Sequence, residues 1–554
     1  MKRQMSDVRW GTHLGGRSRS VLAQNELGTP DVIYYNGKVV TVDADFHVQQ
    51  AFAIKGEKFI AVGTNKSVKA LAGKGTRLVD LSRATVVPGF ADMHEHLFNV
   101  CRYLWRGVGM IGVTSLAELQ RRLKKAVEVA KPGQVVFTTL GWTISPAPTR
   151  KELDQVSAEI PIVLIGSRRG SAVYNSAALK RAGISKENPT FAGKPVPKDA
   201  SGEPTGAISE YPTSVLLLEK LIPPMSPAEE EEVIIKGWQE LNASGVTSIR
   251  DLSLSPGAVR AYQRVWQKGR LTGRVAVGVE FPDHENTAMH IENMGISHPF
   301  GDHWLRIDST GEEPWTPGTM ALKPYTELLL ALNRLDWRPC PHVCADSIRN
   351  IDVDTATNAH LDAFEVADRA SSIKEKRWYM EHTPFATPEQ IGRMAKLGVI
   401  VCVNDYGYYG PRPPPYPQEK DRLAHQTPIR SLLDKKIVVI SGSDYRGPTS
   451  AEMHPNNPMI YFYFYVTQQA KDGKPSAPAE KISRQEALRI ATANAAYATF
   501  EEKIKGSIEP GKLADFVILS QDLMTVPDDR ILDTKPLATF VGGRKVYSAP
   551  GNTF

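Results

Sequence analysis

Two histidines, His94 and His96 in "ADMHEHLFNV", stand two apart with an acid between them, directly behind the apolar run "TVVPGF". Side chains two apart on a β-strand share a face, so the pair can point together at one metal ion while Glu95 points the other way. Such a pair is also ordinary on a surface strand, and its partners decide the matter. Three further strand-like runs supply them. "RPCPHVCAD" places His342 after a short β run, with Cys340 and Cys344 on the same face. "KRWYMEHTP" ends in Glu381-His382 just ahead of a helix start, and "KIVVISGSDY" is almost wholly apolar before Asp444. A carboxylate behind a buried apolar strand is costly unless something positive or donating meets it. A lone Asp444 would cap the next turn, but four histidines and an aspartate together form a donor set that suits Zn²⁺, and also Mn²⁺, Fe²⁺ or Co²⁺. A Cys/His cluster through Cys340 and Cys344 is the weaker alternative, because buried cysteine usually behaves as a small hydrophobe.

The elements that must position these residues are legible from their punctuation. "SPAEEEEVIIKGWQELNASG" opens with Ser226 and Glu229 in capping-box spacing and stops at Gly245. Its acidic run, Glu229 to Glu232, reads as a solvated first turn favoured by the helix dipole. "TPEQIGRMAKLG" has Thr387 as cap, Pro388 at the first helical position and Gly398 as stop, and "SRQEALRIATANAA" repeats the capping box at Ser483 and Glu486. Strand–helix alternation over about 400 residues argues for a parallel α/β architecture, and a (β/α)8 TIM barrel fits it. Its strands are expected to end near His96, Arg250, Val279, Ile307, His342, His382, Asn404 and Asp444. The stretch between the first two is too long for one crossover, so about 115–225 is assigned to an inserted subdomain. Both chain ends are β-rich: "DVIYYNGKVVTVD" reads as a hairpin around Asn36-Gly37, "AFAIKGEKFIAVGT" as another around Lys55-Gly56-Glu57, and "LATFVGGRKVYSAPG" as a third around Gly542-Gly543. A small β-sandwich built from 30–87 and 505–554 follows, with the barrel at 88–504 and a flexible arm at 1–29. "YFYFYV" at 461–466 reads as a packed helix face or strand.

Composition removes several classes of function. The net charge of +6 is small for 554 residues and its Lys and Arg are dispersed, so neither nucleic acid nor a membrane surface is implied as partner. No stretch approaches the ~18 consecutive apolar residues of a membrane span. Four cysteines cannot frame a chain of this length with disulfides, which suits a reducing compartment. The arm lacks the apolar core of a secretory signal. Together these point to a cytoplasmic protein, an export signal already removed being the other reading, with a small-molecule substrate and room for a homo-oligomer.

The segments "VVPGFADMHEHL", "HVCAD", "MEHTPFATPEQIGRMAKLGVIVCVN", "VISGSD", "EALRIATANAA" and "GSIEPGKLADFVILS" resemble, in the same order, the signatures of the amidohydrolase superfamily. They are most similar to its YtcJ-like (amidohydrolase family 3) branch, which includes N-substituted formamide deformylases. "PTRKELDQVSAEIPIVLI", "NSAALKRAGI" and "GEPTGAISE" resemble that branch's insertion. The resemblance implies one or two divalent ions per chain, Zn²⁺ foremost. His94 and His96 would ligate the first, and His342 and His382 a second, or in a one-metal variant these two would orient water. Asp444 would be ligand and general base, with metal-activated water cleaving a C–N bond of a non-peptide amide or formamide. A deaminase or an ester/lactone hydrolase on the same scaffold is an alternative, as is a non-catalytic subunit with a degenerate metal site.

Departures from the branch fall in two places. Its fourth strand usually supplies a lysine, carboxylated to bridge two metals, but "HWLRIDSTGEEPWTPGTM" has none between Arg306 and Met320. Either Glu312 or Glu313 supplies the bridging carboxylate, or the site holds one metal. Arg169-Gly170-Ser171 stands where the branch commonly carries a histidine near the substrate. The run "NDYGYYGPRPPPYP" reads as a lid offering Tyr406 and Tyr408, with Trp315, to an apolar or aromatic substituent, or as a surface loop whose tyrosines pack on neighbouring helices.

Overall fold

The computed structural model describes residues 28–131, 133–139, 141–166, 172–208, 213–281, 286–312, 321–344, 352–409, 425–444 and 457–554. The arm up to residue 27, Arg169-Gly170-Ser171, Glu313, Trp315 and the Pro-rich run from 410 lie outside these residues. Among the described residues no helix is long and apolar enough to cross a membrane.

Both chain ends contribute to a pair of sheets. Val32–Tyr35 lies between Ala51–Lys55 (antiparallel) and Arg77–Asp80 (parallel) in a four-stranded sheet. Lys38–Val40 belongs instead to a six-stranded sheet with Thr85–Pro88 and the C-terminal strands Phe516–Leu519, Pro536–Val541 and Arg544–Ser548. The hairpin expected at Asn36-Gly37 is therefore absent. A two-residue type I′ turn needs positive φ at both central residues; Asn36 has φ 59°, but Gly37 does not share it, and the chain crosses from one sheet to the other. At Gly542-Gly543 both angles are positive, 55° and 70°, and the hairpin forms with Val541 opposite Arg544. The hairpin at Gly56 forms too, with Lys55 opposite Lys58. Tyr34, Phe52, Phe516 and Phe540 fill one core shared by the two sheets, Phe516 stacking on Phe540 at 4.4 Å.

Among the described residues between these ends, eight parallel strands run in sequential order, forming two half-sheets. The first half holds Phe90–Glu95, Val246–Leu254, Arg274–Val279 and Leu305–Thr310, edged by the antiparallel Phe300–Gly301. The second holds His342–Val343, Tyr379–His382, Ile400–Val403 and Val439–Ser441. Hydrogen bonds join the halves at both seams: Asp444 N donates to His94 O at 2.8 Å, and Thr310 N to Arg338 O at 3.0 Å. The second strand runs through Arg250 to Leu254 and the fourth past Ile307 to Thr310, longer than the apolar pattern implied.

The helices between strands start where their caps stand. Pro227–Ala243 and Pro388–Leu397 carry capping boxes at Ser226/Glu229 and Thr387/Gln390, and Gly398 (φ 67°) closes the latter. Glu231 departs from the solvated-turn expectation: it is buried and accepts from Lys268 Nζ at 2.6 Å. The stretch after Ser483 forms two helices, Arg484–Ile490 and Ala493–Ala498, split at Thr492, which leaves helical angles (φ −141°, ψ −82°). Pro458–Thr467 carries "YFYFYV" as a helix buried nearly all round. The insertion has its own sheet, with Ile162–Ile165 paired to Val136–Phe137 and Ala172–Tyr174, and its own apolar clusters. Its pairing already begins at Val108, opposite Thr138.

Candidate metal centre

Strand parity brings His94 and His96 to one side, as their spacing demands. His94 is wholly buried and lies within the first strand, while His96 is the residue that opens helix Leu97–Leu104. His94 Nε2 lies 3.1 Å from Glu312 Oε2 and 3.6 Å from Asp444 Oδ1. His96 Nε2 lies 3.0 Å from Glu312 Oε1 and 3.3 Å from Asp444 Oδ1. The carboxylate of Glu95 turns elsewhere, toward Ser443 Oγ at 3.3 Å.

Glu312, two residues past the fourth strand and wholly buried, is the hub. Its Oε2 also meets His342 Nδ1 at 3.0 Å and His382 Nε2 at 3.3 Å. His382 Nε2 and His342 Nδ1 face each other at 2.8 Å. His94, His96, Glu312 and Asp444 offer ligand atoms all within 4.8 Å of one another, as do His342, Cys344 and His382. Cys340 instead meets Glu381 Oε1 at 3.1 Å.

Two residues reach the cluster only through left-handed backbone, His382 at φ 63° and Asp444 at φ 47°. Such angles in non-glycine residues persist only where the surroundings enforce them. For His382 the partner is Asn404, whose Oδ1 lies 2.7 Å from its Nδ1. For Asp444 it is Tyr406, whose hydroxyl donates to Oδ2 and lies 3.4 Å from His382 Nδ1. Tyr408, expected beside Tyr406 on the substrate, instead packs edge-on against Tyr409 and Tyr463 in the core.

The charges in the cluster are strongly coupled. Burial alone would depress the imidazolium of His94, but Glu312 and Glu381 hold its pKa well above the ordinary value. His96 is raised to about 9 because bonds to Asp444 and Glu312 outweigh burial. His342 rises to about 10, burial being outweighed by Glu312 and Cys344. His382 falls to about 4 through burial and the neighbouring His342. Burial would raise Glu312, yet the imidazoles around it hold it well below the carboxylate range.

Four imidazoles and two carboxylates converging in one buried space form a donor set that a divalent cation fits. Within it, His94 Nε2 and Glu312 Oε1 are buried and face other donor atoms at 3.1 and 3.0 Å without a well-aligned hydrogen bond, as ligand atoms would be. His94, His96, Glu312 and Asp444 could hold one ion, and His342 and His382 with Glu312 a second.

Sequence reasoning passed over Glu381, Arg250 and Asn404 as working parts. Glu381 Oε2 lies 2.6 Å from His94 Nδ1, and its Oε1 pairs with Arg250. The signal was present in "VTSIRD": an arginine within a strand expected to line the barrel requires a buried counter-charge. Alternation would send Glu381 and His382 to opposite faces, and the positive φ of His382 returns its ring to the side of Glu381.

Fold and cluster together define a metal-dependent hydrolase, and the chain belongs to the amidohydrolase family, whose model matches residues 77–547. Among its relatives is the N-substituted formamide deformylase of Arthrobacter pascens, 26% identical, the alignment covering 94% of this chain and 99% of that protein. The putative amidohydrolase YtcJ of Bacillus subtilis is 23% identical over 93% of this chain and 99% of its own length. An uncharacterized metal-dependent hydrolase of Pyrococcus horikoshii shares the fold, with a TM-score of 0.70 and 20% identity over 90% of this chain and 99% of that one.

Proposed function

We propose that the eight parallel strands close into a (β/α)8 barrel, at 88–504, with the cluster at its C-terminal mouth. The terminal sheets, 30–87 and 505–554, are its β-sandwich. On this scaffold the protein hydrolyses a C–N bond in a small non-peptide amide of the formamide type. The observation that carries the reading is the meeting of His94, His96, His342, His382 and Asp444 around the buried carboxylate of Glu312. The deformylase of Arthrobacter pascens, similar over nearly its whole length, supports the choice of substrate class.

The donor set favours Zn²⁺, with Mn²⁺, Fe²⁺ and Co²⁺ as its rivals. Glu312 would supply the carboxylate that the branch's lysine otherwise carries, its Oε1 turned to His96 and its Oε2 to His342 and His382. A bound divalent ion supplies Lewis-acid polarisation of the scissile carbonyl and renders water more acidic. Asp444 is the general base: Tyr406 holds its Oδ2, which fixes the carboxylate's rotation with Oδ1 toward His94 and His96. Oδ1 takes a proton from the attacking water and returns it to the leaving nitrogen. His382, steadied by Asn404, borders the same space as ligand or water-orienting group.

The test is metal content of freshly purified protein together with a substrate panel of N-substituted formamides, N-acyl compounds, carbamates, lactones and aminated heterocycles. Bound zinc and release of formate and amine are expected. No bound metal and no turnover after adding Zn²⁺, Mn²⁺, Fe²⁺ or Co²⁺ would overturn the reading. Lactone opening or ammonia release in place of formamide cleavage would move the reaction to another class.

A further inference from the structure

A histidine can present one ring nitrogen to a metal only if its proton sits on the other, and the partner of that other nitrogen decides the tautomer. Two histidines of the cluster have identified partners of different kinds. His382 meets the neutral amide of Asn404. His94 meets a carboxylate, Glu381 Oε2 at 2.6 Å, with both side chains wholly buried. An ionised carboxylate only accepts hydrogen bonds, so the His94 proton resides on Nδ1.

Glu381 is itself held. Its other oxygen pairs with Arg250 and accepts from Cys340 Sγ at 3.1 Å. Arg250 is wholly buried, donates from Nε to Met93 O at 2.8 Å, and lies over the Tyr379 ring at 3.7 Å. Arg338 lies over that ring at 4.5 Å, and the Tyr379 hydroxyl donates to Asp308 at 3.1 Å. The guanidinium thus has a fixed place, and it engages the Glu381 oxygen that does not face His94. Resting on the reading of the cluster as a metal centre, we infer that Glu381 is its positioning residue. Its carboxylate keeps the His94 proton on Nδ1 and aims Nε2 at the ion, while Arg250 prevents that carboxylate from becoming a ligand. The arrangement also makes His94 the more basic donor of the two histidines with identified partners, since hydrogen bonding to a carboxylate raises ligand basicity.

Glu381→Gln keeps an acceptor for Nδ1–H but removes the charge. Loss of such an outer partner weakens metal binding by about 10- to 100-fold, so the dissociation constant for Zn²⁺, measured by chelator competition, should rise by that factor. Because Glu381→Gln leaves Arg250 buried without its counter-charge, the double variant Arg250→Met/Glu381→Gln is measured beside it and should show the same weakening. Wild-type affinity in either folded variant overturns the inference, since a pair serving packing alone would alter thermal stability and leave affinity unchanged. ¹⁵N-histidine spectra of the zinc-loaded wild type give an independent readout, with the His94 signal identified by its loss in His94→Gln. A protonated Nδ1 is expected, and a metal-coordinated Nδ1 refutes the assignment. Failure of the wild type to bind Zn²⁺ removes the metal centre itself, an outcome distinct from binding that ignores Glu381.

Discussion

Tyr406→Phe removes a hydrogen bond to the carboxylate proposed as general base, and with it a longer contact of 3.4 Å to His382 Nδ1. The Tyr406 hydroxyl donates to Asp444 Oδ2, and the Asp444 side chain has no solvent exposure through which water could replace the lost donor. A hydrogen bond to a charged group contributes about 1.5–3 kcal/mol. That interaction favours the ionised carboxylate over the acid, so its loss makes Asp444 easier to protonate. At 1.36 kcal/mol per pH unit, the acidic limb of the kcat/KM profile should move to higher pH by about one to two pH units. On that limb the rate follows the ionised fraction of the base, so at one acidic pH the variant should run about 10- to 150-fold slower than wild type. Well above the limb the two profiles should converge.

The assay is kcat/KM against pH with the best formamide from the panel, and metal content is measured on the same preparations. An unmoved limb refutes the argument that Tyr406 stabilises the base. A rise in KM with the limb unmoved would make Tyr406 a substrate contact instead. A uniform loss at every pH that tracks lost metal would assign it to the integrity of the cluster.

Gly442→Ala should lower both thermal stability and metal content, because the added Cβ would sit 2.2 Å from His94 Cβ and 2.6 Å from His94 N. Overpacking of this kind costs about 1–3 kcal/mol, whereas Gly392→Ala, a helix position with nothing within 4 Å, should stabilise by about 0.5–1 kcal/mol. Equal melting temperatures for the two variants would contradict the geometry. His298 titrates at about 2, lowered by burial and then by Arg338 and Arg306, so its neutral form stabilises the fold above the unfolded value near 6.5. That stability is lost as pH falls, by about 1.5 kcal/mol between pH 6.5 and 5, and melting curves of His298→Gln should be correspondingly flatter over this range. Asp515 receives Arg274 through two bonds, at 2.6 and 2.7 Å, both side chains being nearly buried. Asp515→Ala should destabilise by about 3–5 kcal/mol in urea unfolding, and a loss below about 1 kcal/mol would show that the remaining guanidinium finds water.

What could be read in the sequence was whatever depends on neighbours in the chain. His94 and His96 share a side because strand parity is local, and Ser226, Thr387 and Ser483 start helices because a cap needs only the next three residues. Choices that depend on distant chain segments were opaque. Glu312 and Glu313 were equivalent as letters, and only the turn of the chain past Thr310 brings Glu312 among the imidazoles. Asn36-Gly37 has the composition of a type I′ turn, yet its flanking strands take their partners from residues 51–55 and 85–88, which no local signal could announce. Tyr406 and Tyr408 looked alike, and one short 3-10 turn, Tyr406–Tyr409, sends the first to Asp444 and the second into the core.

The position of the cluster relative to the two half-sheets gives the arrangement its logic. Its donors come from five separate segments, and two pairs of them straddle the seams. His94 and Asp444 are joined across one seam by a backbone hydrogen bond of 2.8 Å, and Glu312 and His342 across the other by one of 3.2 Å. The fifth strand, beside the second seam, has the shortest ladder: among the described residues His342–Val343 pairs with the sixth strand at two positions, and its link to the fourth runs through Thr310, Glu312 and the residues facing them. A cation held by these side chains would therefore tie the short fifth strand to its neighbours across the seam. Binding free energy contributed there would also be folding free energy, so on the proposed reading Glu312, whose backbone and side chain both meet His342, would couple the joining of the two half-sheets to occupancy of the site.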